Sequence, residues 1–425
     1  MEVPDGFEFG YVETDEELEE FLKFQSLVHP DDDVEELRRQ IELLPAFTRE
    51  MNYYIRDLDT GHIVSALNSI PSTWNYEDIP LKNLELGWVG TLKEYRRRGL
   101  SRSLYTHFDT LLTGCEYDLS SIMGIPYFYR QFGYDFVLPM DRTIWLRLDQ
   151  IKPVDEKDPP EYMSFKVRPA THDDIPSLMA LFREHNKRLL VHVDRDQELW
   201  EIQEQEKREF EEYFQTFILE DSTGIIGYFR LVKSTRKGPA KSTLRVIESR
   251  IRTYDGVLRV LKFLRAEGVS NNIDLIGLQG PSTNNLTRVA HSLGGIENKG
   301  WKYQIRIPDI LRFLKKISPV LERRLVGSMF ENLTRDFTIN TFRHCFVLKF
   351  SNGKLLDISD IGPPEVNEYL SFRAPPLDLV RLILGAYNID ELASNNIDFI
   401  VRGGVKLLAE TLFPKKESAI YYYYC

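Results

Sequence analysis

Cysteine is scarce in this chain: Cys115, Cys345 and Cys425 are the three in 425 residues, and no pair has CxxC spacing. That count supports neither a disulfide framework nor a structural zinc site, and it suits a reducing compartment. The eight histidines are scattered and include no HExxH motif. No metal is therefore expected. No apolar run reaches the roughly 18 residues that a membrane-spanning helix needs. The opening MEVPDGFEFG is acidic and lacks the apolar core of a signal peptide. Positive charge is in deficit, with 54 Lys and Arg against 65 Asp and Glu, a net charge of −11. Such a balance disfavours nucleic acid as the main partner and favours cationic small molecules or basic peptides. The expectation is a cytoplasmic protein without a membrane or nucleic-acid partner.

A hydrophobic share of 42% and a charged share of 28% describe an ordinary globular chain. Its length calls for two or three domains. One stretch organises it, LELGWVGTLKEYRRRGLSRSLYTHFDTLL from Leu84 to Leu112. The apolar part up to Leu92 suits a strand. Leu100, Leu104, Phe108, Leu111 and Leu112 then fall on one helical face. Between them lie Arg96, Arg97, Arg98 and Gly99. A strand, a basic glycine turn and a helix present unpaired amides at the positive end of a helix dipole, a receptor for phosphate or pyrophosphate. A solvated basic turn before an ordinary helix is the plainer alternative.

The spacing Arg96-x-x-Gly99-x-Ser101 resembles the R/Q-x-x-G-x-G/A signature of the GNAT acetyltransferases, whose loop holds the pyrophosphate of coenzyme A. Tyr129-Arg130-Gln131-Phe132-Gly133-Tyr134 resembles the aromatic segment that closes a GNAT domain. The triple arginine, that segment and the chain length are similar to the enhanced-intracellular-survival branch of the superfamily. The resemblance is specific over about 84–136. It implies a mixed α/β (α+β) protein of two tandem GNAT folds, the second degenerate, followed by a sterol-carrier-like α+β domain. It implies acetyl-CoA as co-substrate, a cationic amine acceptor and a homo-oligomer. The implied pyrophosphate ligands are Arg96, Arg97, Arg98, Gly99, Leu100, Ser101 and Arg102. Val89, Gly90 and Thr91 are implied to meet the pantetheine arm and the carbonyl oxygen, with Gly124 and Ile125 opposite.

The first domain is expected over 1–151. In it Phe7–Val12 reads as a strand, and Thr14-Asp15-Glu16-Glu17 as a capping box before Leu18, Phe21 and Leu22. Asp59-Thr60-Gly61 reads as a hairpin turn, 71–80 as a loop, and Thr143–Leu148 as the last strand. The landmarks return about 160 residues later, which suggests an internal duplication over 160–300. There Thr171-His172-Asp173-Asp174 precedes a second helix, but Arg252-Thr253-Tyr254-Asp255-Gly256 replaces the arginine loop. Asp255 sets a carboxylate beside any phosphate, so this copy is expected to have lost the chemistry and to wall the first copy's cleft. Residues 301–425 alternate helices and hairpins and resemble the sterol-carrier-like domain, whose default role is structural.

Acetyl transfer to an amine needs a neutral amine, a donor for the tetrahedral oxygen and an acid for the thiolate. Tyr129 is the candidate acid, with Tyr127 and Tyr134 as rivals or as packing aromatics. In the related branch the base is the carboxylate of the last residue, here Cys425, where phenylalanine is usual. The apolar run Ala419-Ile420-Tyr421-Tyr422-Tyr423-Tyr424 before it suits a packed tail rather than a solvated end. The acids Asp31, Asp32, Asp33, Glu35 and Glu36 read either as amine recruiters or as a solvated helix start. Two further readings are a longer-chain N-acyltransferase and a non-catalytic lipid binder built on the C-terminal domain.

Overall fold

The computed structural model describes residues 3–140, 142–153, 165–204, 214–234, 243–298, 300–363 and 372–420. They form two compact units, 3–138 with 303–416 and 139–302 with 417–420. No helix among the described residues is long and apolar enough to cross a membrane.

The first unit opens with β1 (Phe7–Tyr11), α1 (Asp15–Val28), α2 (Val34–Leu43), β2 (Asn52–Asp57), β3 (Ile63–Tyr76) and β4 (Ile79–Thr91). Then come α3 (Leu100–Gly114), β5 (Leu119–Ile122) and β6 (Asp135–Pro139). The capping box forms: Thr14 Oγ1 accepts the Glu17 N–H at 3.2 Å, and Glu17 Oε2 accepts the Thr14 N–H at 3.1 Å. Sheet order is β1-β2-β3-β4-β5-β15-β6, where β15 (Lys302–Arg306) comes from much later in the chain. β4 and β5 pair in parallel. The apolar stripe of α3 does what its period predicts. Leu100, Leu104, Phe108 and Leu112 are buried against Val64, Leu67, Leu84 and Leu86. Each such side chain contributes about 1.5–3 kcal/mol by leaving water. The stretch 71–80 is no loop. It continues β3 and opens β4 as a long hairpin, turning at Glu77 with φ 55. Trp74 and Tyr76 are buried and outweigh the two prolines, which sit in strands that remain paired.

The second unit holds β7 (Thr143–Arg147), β8 (Lys166–Pro169), α4 (Ile175–Asn186), β9 (Val191–Val193), α5 (Gln197–Gln203) and β10 (Phe214–Asp221). β11 (Gly224–Ser234), β12 (Thr243–Ile251), α6 (Tyr254–Ser270), β13 (Leu275–Gln279), α7 (Asn285–Ser292) and β14 (Ile296–Asn298) complete it. Its sheet runs β14-β7-β13-β12-β11-β10-β8. It repeats the plan of the first, with β12 and β13 parallel where β4 and β5 were. The strand at Thr143–Arg147 forms as expected, but it pairs with β13 of this second sheet, Trp145 opposite Gly277. The indole occupies the space beside Gly277, where a Cβ would stand 2.9 Å from Trp145 Cζ3. An aromatic covering a strand glycine fixes that register.

The remainder of the first unit carries α8 (Ile310–Lys316), α9 (Ser318–Leu325), β16 (Asp336–Asn340), β17 (Cys345–Ser351), β18 (Lys354–Asp360) and β19 (Phe372–Arg373). α10 (Pro376–Ile383), α11 (Ile389–Asn395) and α12 (Gly404–Leu412) follow. Its sheet is β18-β17-β16-β19. The tip of the β3–β4 hairpin is tied to it. Tyr76 Oη donates to the Ile383 carbonyl at 2.9 Å, and Glu77 receives Arg324 at 2.8 Å and Lys416 at 3.1 Å.

Candidate active site

β4 and β5 pair only from Asn83–Leu119 to Glu85–Ser121, and β4 then runs on to Thr91. The two strands therefore part, and the β5-facing edge of 86–91 has no partner in β5. A bulge bends β4 inside this stretch. Ala66 faces Gly90 and Asn68 faces Gly87, so Leu67 opposes Trp88 and Val89 together, with Trp88 at φ 47. Gly90 answers to close approach rather than to the bulge. A Cβ there would lie 2.5 Å from Val28 Cγ2, at the end of α1.

The chain next turns through Lys93–Tyr95 and the arginines to α3. Arg97 has φ 66 and Gly99 has φ 85. Nothing stands within 4 Å of a Cβ at Gly99, so glycine is required there for its backbone and not for space. The Gly99 carbonyl accepts from the Arg102 and Ser103 amides at 3.0 Å, and no side chain caps the first turn. Ser101 Oγ lies 2.7 Å from Thr91 Oγ1, itself 2.8 Å from Ser65 Oγ, which pins the helix start to the end of β4.

A cleft of about 200 Å³ lies in the opening between β4 and the aromatic segment. Val89, Thr91, Gly99, Leu100 and Ser101 line it, as do Arg96, Arg97 and Arg102. Arg98 does not. Its guanidinium lies over the Tyr95 ring, 4.9 Å from the centroid. Ile125 points to solvent at 64% exposure, and the Gly124 and Ile125 carbonyls accept from Gln304 Nε2 at 2.7 and 3.3 Å.

The three tyrosines occupy different settings. Tyr127 is 77% exposed, at φ 70. Tyr134 is in the core, its hydroxyl 2.6 Å from Ser120 Oγ. Tyr129 is buried yet lines the cleft, and burial pushes its phenol up to about 12. Its ring rests on Gly124, where a Cβ would be only 2.3 Å from Tyr129 Cδ2. Sequence reasoning missed Tyr105, Gln131 and Phe132, which also line the cleft. Tyr105 stacks on Phe132 with centroids 3.9 Å apart and receives Arg306 Nη1 at 2.7 Å. Tyr105 stands at the inward side of α3, which could have shown it, whereas Gln304 and Arg306 arrive on β15 and left no local signal. Asp33 caps α2 by accepting the Glu35 N–H at 3.0 Å, and Glu35 pairs with Arg38 at 3.1 Å, so part of the acidic run is spent on helix α2.

Residues 13–137 match the family model of an acetyltransferase (GNAT) domain. Over those residues the chain is a GNAT acetyltransferase domain. The whole chain is also similar in fold to solved structures. A GCN5-related N-acetyltransferase from Anabaena variabilis matches with TM-score 0.71 and 15% identity over 98% of this chain and 99% of that one. A probable N-acyltransferase from Enterococcus faecalis matches with 0.70 and 14% over 98% and 99%. Eis1 from Mycobacterium abscessus matches with 0.61 and 13% over 97% and 98%. No curated protein matches by sequence. The architecture is thus tandem GNAT folds followed by a C-terminal α/β domain.

The second copy closes the corresponding features. Thr253 Oγ1 caps α6 by accepting the Gly256 N–H at 3.1 Å, and Asp255 stands in the first turn. β12 and β13 part after Val246–Leu278. Ile247 and Gln279–Pro281 there share a small cavity with Glu417, Ser418, Ala419 and Ile420. Glu417 anchors that segment. Its carboxylate accepts the Thr283 N–H at 2.9 Å and the Ser282 Oγ at 3.0 Å, and it pairs with Arg142 at 3.4 Å. Ala419 and Ile420 are buried, at 6% and 3% exposure. Residues 421–424 and the expected base Cys425 lie outside the described residues.

Proposed function

We propose that this protein transfers the acetyl group of acetyl-CoA to the primary amine of a cationic acceptor, directly and within a ternary complex. GNAT enzymes bind an acyl-CoA donor and an acceptor. The observation that carries the reading is one cleft holding three features together: a parted β4–β5 pair, an uncapped α3 N-terminus beside Arg96, Arg97 and Arg102, and the buried phenol of Tyr129. The helix end and its guanidinium groups suit a pyrophosphate. The free edge of β4 suits the pantetheine amides.

The amine nitrogen attacks the thioester carbon as it gives up its proton. The C–N bond forms, and backbone N–H groups near Val89–Thr91 meet the charge on oxygen. The C–S bond then breaks. Tyr129 donates its hydrogen bond, and finally its proton, to the leaving thiolate, and the proton released by the amine restores the phenol through solvent. Its raised pKa keeps the phenol protonated at neutral pH, so it serves as a donor and not as a base. The amine's proton goes to a carboxylate, for which the terminal group of Cys425 is the candidate. Aminoglycosides, polyamines and lysine side chains share the acceptor chemistry, and the net charge of −11 favours such cations.

Calorimetric titration with coenzyme A tests the donor half. The double variant Arg96→Gln, Arg97→Gln should bind about tenfold or more weakly, since each charge-assisted bond is worth roughly 1.5–3 kcal/mol. Unchanged affinity would remove the reading. The apolar wall of Leu67, Leu86 and Val89 keeps a longer acyl group as the second reading, decided by turnover of acetyl-CoA against myristoyl-CoA.

A further inference from the structure

Tyr129 rests on a turn that β15 holds in place. Gln304 stands opposite Ile122, the last residue of β5, where the chain leaves the sheet for the aromatic segment. Gln304 is fully buried. Its Nε2 donates to the Gly124 carbonyl at 2.7 Å and to the Ile125 carbonyl at 3.3 Å. A carbonyl can only accept, so the nitrogen of the amide is the end that faces them. Its Oε1 is buried and has no hydrogen-bond partner among the described residues. Leaving such an oxygen unpaired costs about 1–3 kcal/mol, which an apolar side chain of the same length would not incur. The hold on the turn is what offsets that cost.

Gly124 touches both the amide and the phenol ring. A Cβ there would stand 3.0 Å from Gln304 Nε2 and 2.3 Å from Tyr129 Cδ2. With no side chain in the way, a shift of the turn passes directly to the ring. The ring's other neighbours are aromatic: Phe128, Tyr134 and Phe132 lie at 5.0, 6.3 and 6.5 Å between centroids. Packing of this kind sets a distance but not a direction, whereas a hydrogen bond sets both. Arg306, on the same face of β15, closes the far end of the segment. Its Cδ would lie 3.7 Å from a Cβ at Gly133, and its Nη1 donates to Tyr105 Oη at 2.7 Å.

We infer that Gln304 is a positioning residue for Tyr129. It fixes the Gly124–Ile125 turn, and through it the place of the phenol in the cleft. The inference rests on the reading of Tyr129 as the acid that protonates the thiolate. It also means that the first copy's site is completed by a residue 180 positions after Gly124, beyond the whole second copy. A chain ending after the first copy would lack this support.

The test uses Gln304→Met, which keeps length and shape and removes the N–H groups. With acetyl-CoA and an amine acceptor, kcat should fall about tenfold or more, since a shift near 1 Å at a reacting group lowers turnover by up to about a hundredfold. Coenzyme A affinity by calorimetry should change by less than about threefold. In a Tyr129→Phe background the same substitution should change kcat by less than about twofold, because it acts through the phenol. A general loss of packing would lower kcat equally in both backgrounds. A further readout needs no turnover. In protein carrying fluorotyrosine, the fluorine resonance that Tyr129→Phe removes should shift in Gln304→Met. Should Gln304→Met not fold, Gln304→Asn, whose amide falls one methylene short of the turn, takes its place. An unshifted resonance, or equal kcat losses in the two backgrounds, overturns the inference. A shifted resonance with kcat unchanged, or a parent that transfers no acetyl group, removes instead the reading of Tyr129 as the acid, and the fluorine shift still decides what holds the ring.

Discussion

Replacing Gly124 by alanine isolates the position of Tyr129 from its chemistry. The added methyl would lie 2.3 Å from Tyr129 Cδ2 and 2.4 Å from Cε2, with Gln304 Nε2 at 3.0 Å on another side. The ring must retreat by about 1 Å to regain an ordinary contact, and overpacking of this kind costs about 1–3 kcal/mol. It cannot simply swing away. Tyr129 belongs to the buried cluster with Leu84, Leu86 and Tyr134, and its edge meets Phe128 at 5.0 Å between centroids. A displacement near 1 Å at a reacting group lowers turnover by about a hundredfold. Gly124→Ala should therefore lose about a hundredfold in kcat, measured as release of free CoA thiol with an amine acceptor. Coenzyme A affinity, measured by calorimetry, should change by less than about threefold, because the arginine loop is untouched. Tyr129→Phe should show the same kcat loss without the fall in stability. A stable, fully active Gly124→Ala protein would refute the placement, and loss of stability with intact kcat would reduce Tyr129 to a packing residue.

Alkaline pH gives a second check. Burial raises Tyr129, Tyr53 and Tyr105 each to about 12. An unfolded tyrosine ionises near pH 10, so the native state holds its full advantage below that value and loses it as pH rises toward 12. Each phenol accounts for roughly 2 kcal/mol of that loss, readable as a steep fall in urea midpoint above pH 10. Below pH 9 the kcat profile should show no descending limb from Tyr129. Glu417→Gln should loosen the segment before the terminus. It weakens the contacts to Ser282, Thr283 and Arg142 and costs about 1–3 kcal/mol. If the terminal carboxylate is the base, kcat should fall at least about tenfold with coenzyme A binding unchanged; equal kcat would mean that the tail's anchoring does not matter to catalysis.

Local rules carried much of this molecule. The period of Leu100, Leu104, Phe108 and Leu112 fixed α3, because an amphipathic face can be buried in only one way. The capping box at Thr14 and the turn at Gly61 lie where their residue chemistry puts them. The arginine–glycine turn into α3 was legible because a positive φ and an uncapped helix start both depend on residues adjacent in sequence. Other features had no such signature. Residues 71–80 looked like a loop because prolines at both ends mask strands whose pairing comes from across the hairpin. The different settings of Tyr127, Tyr129 and Tyr134 needed the burial of each ring, and withdrawing Arg98 from the cleft needed the Tyr95 face that holds it. β7 reads as a strand in any frame, but only Gly277 beneath Trp145 says which sheet it joins. Sequence determined what the nearest few residues could settle, namely period, capping and turn geometry. Tertiary structure decided what depends on partners that folding brings together, because strand pairing and side-chain burial are chosen by packing that no local window contains.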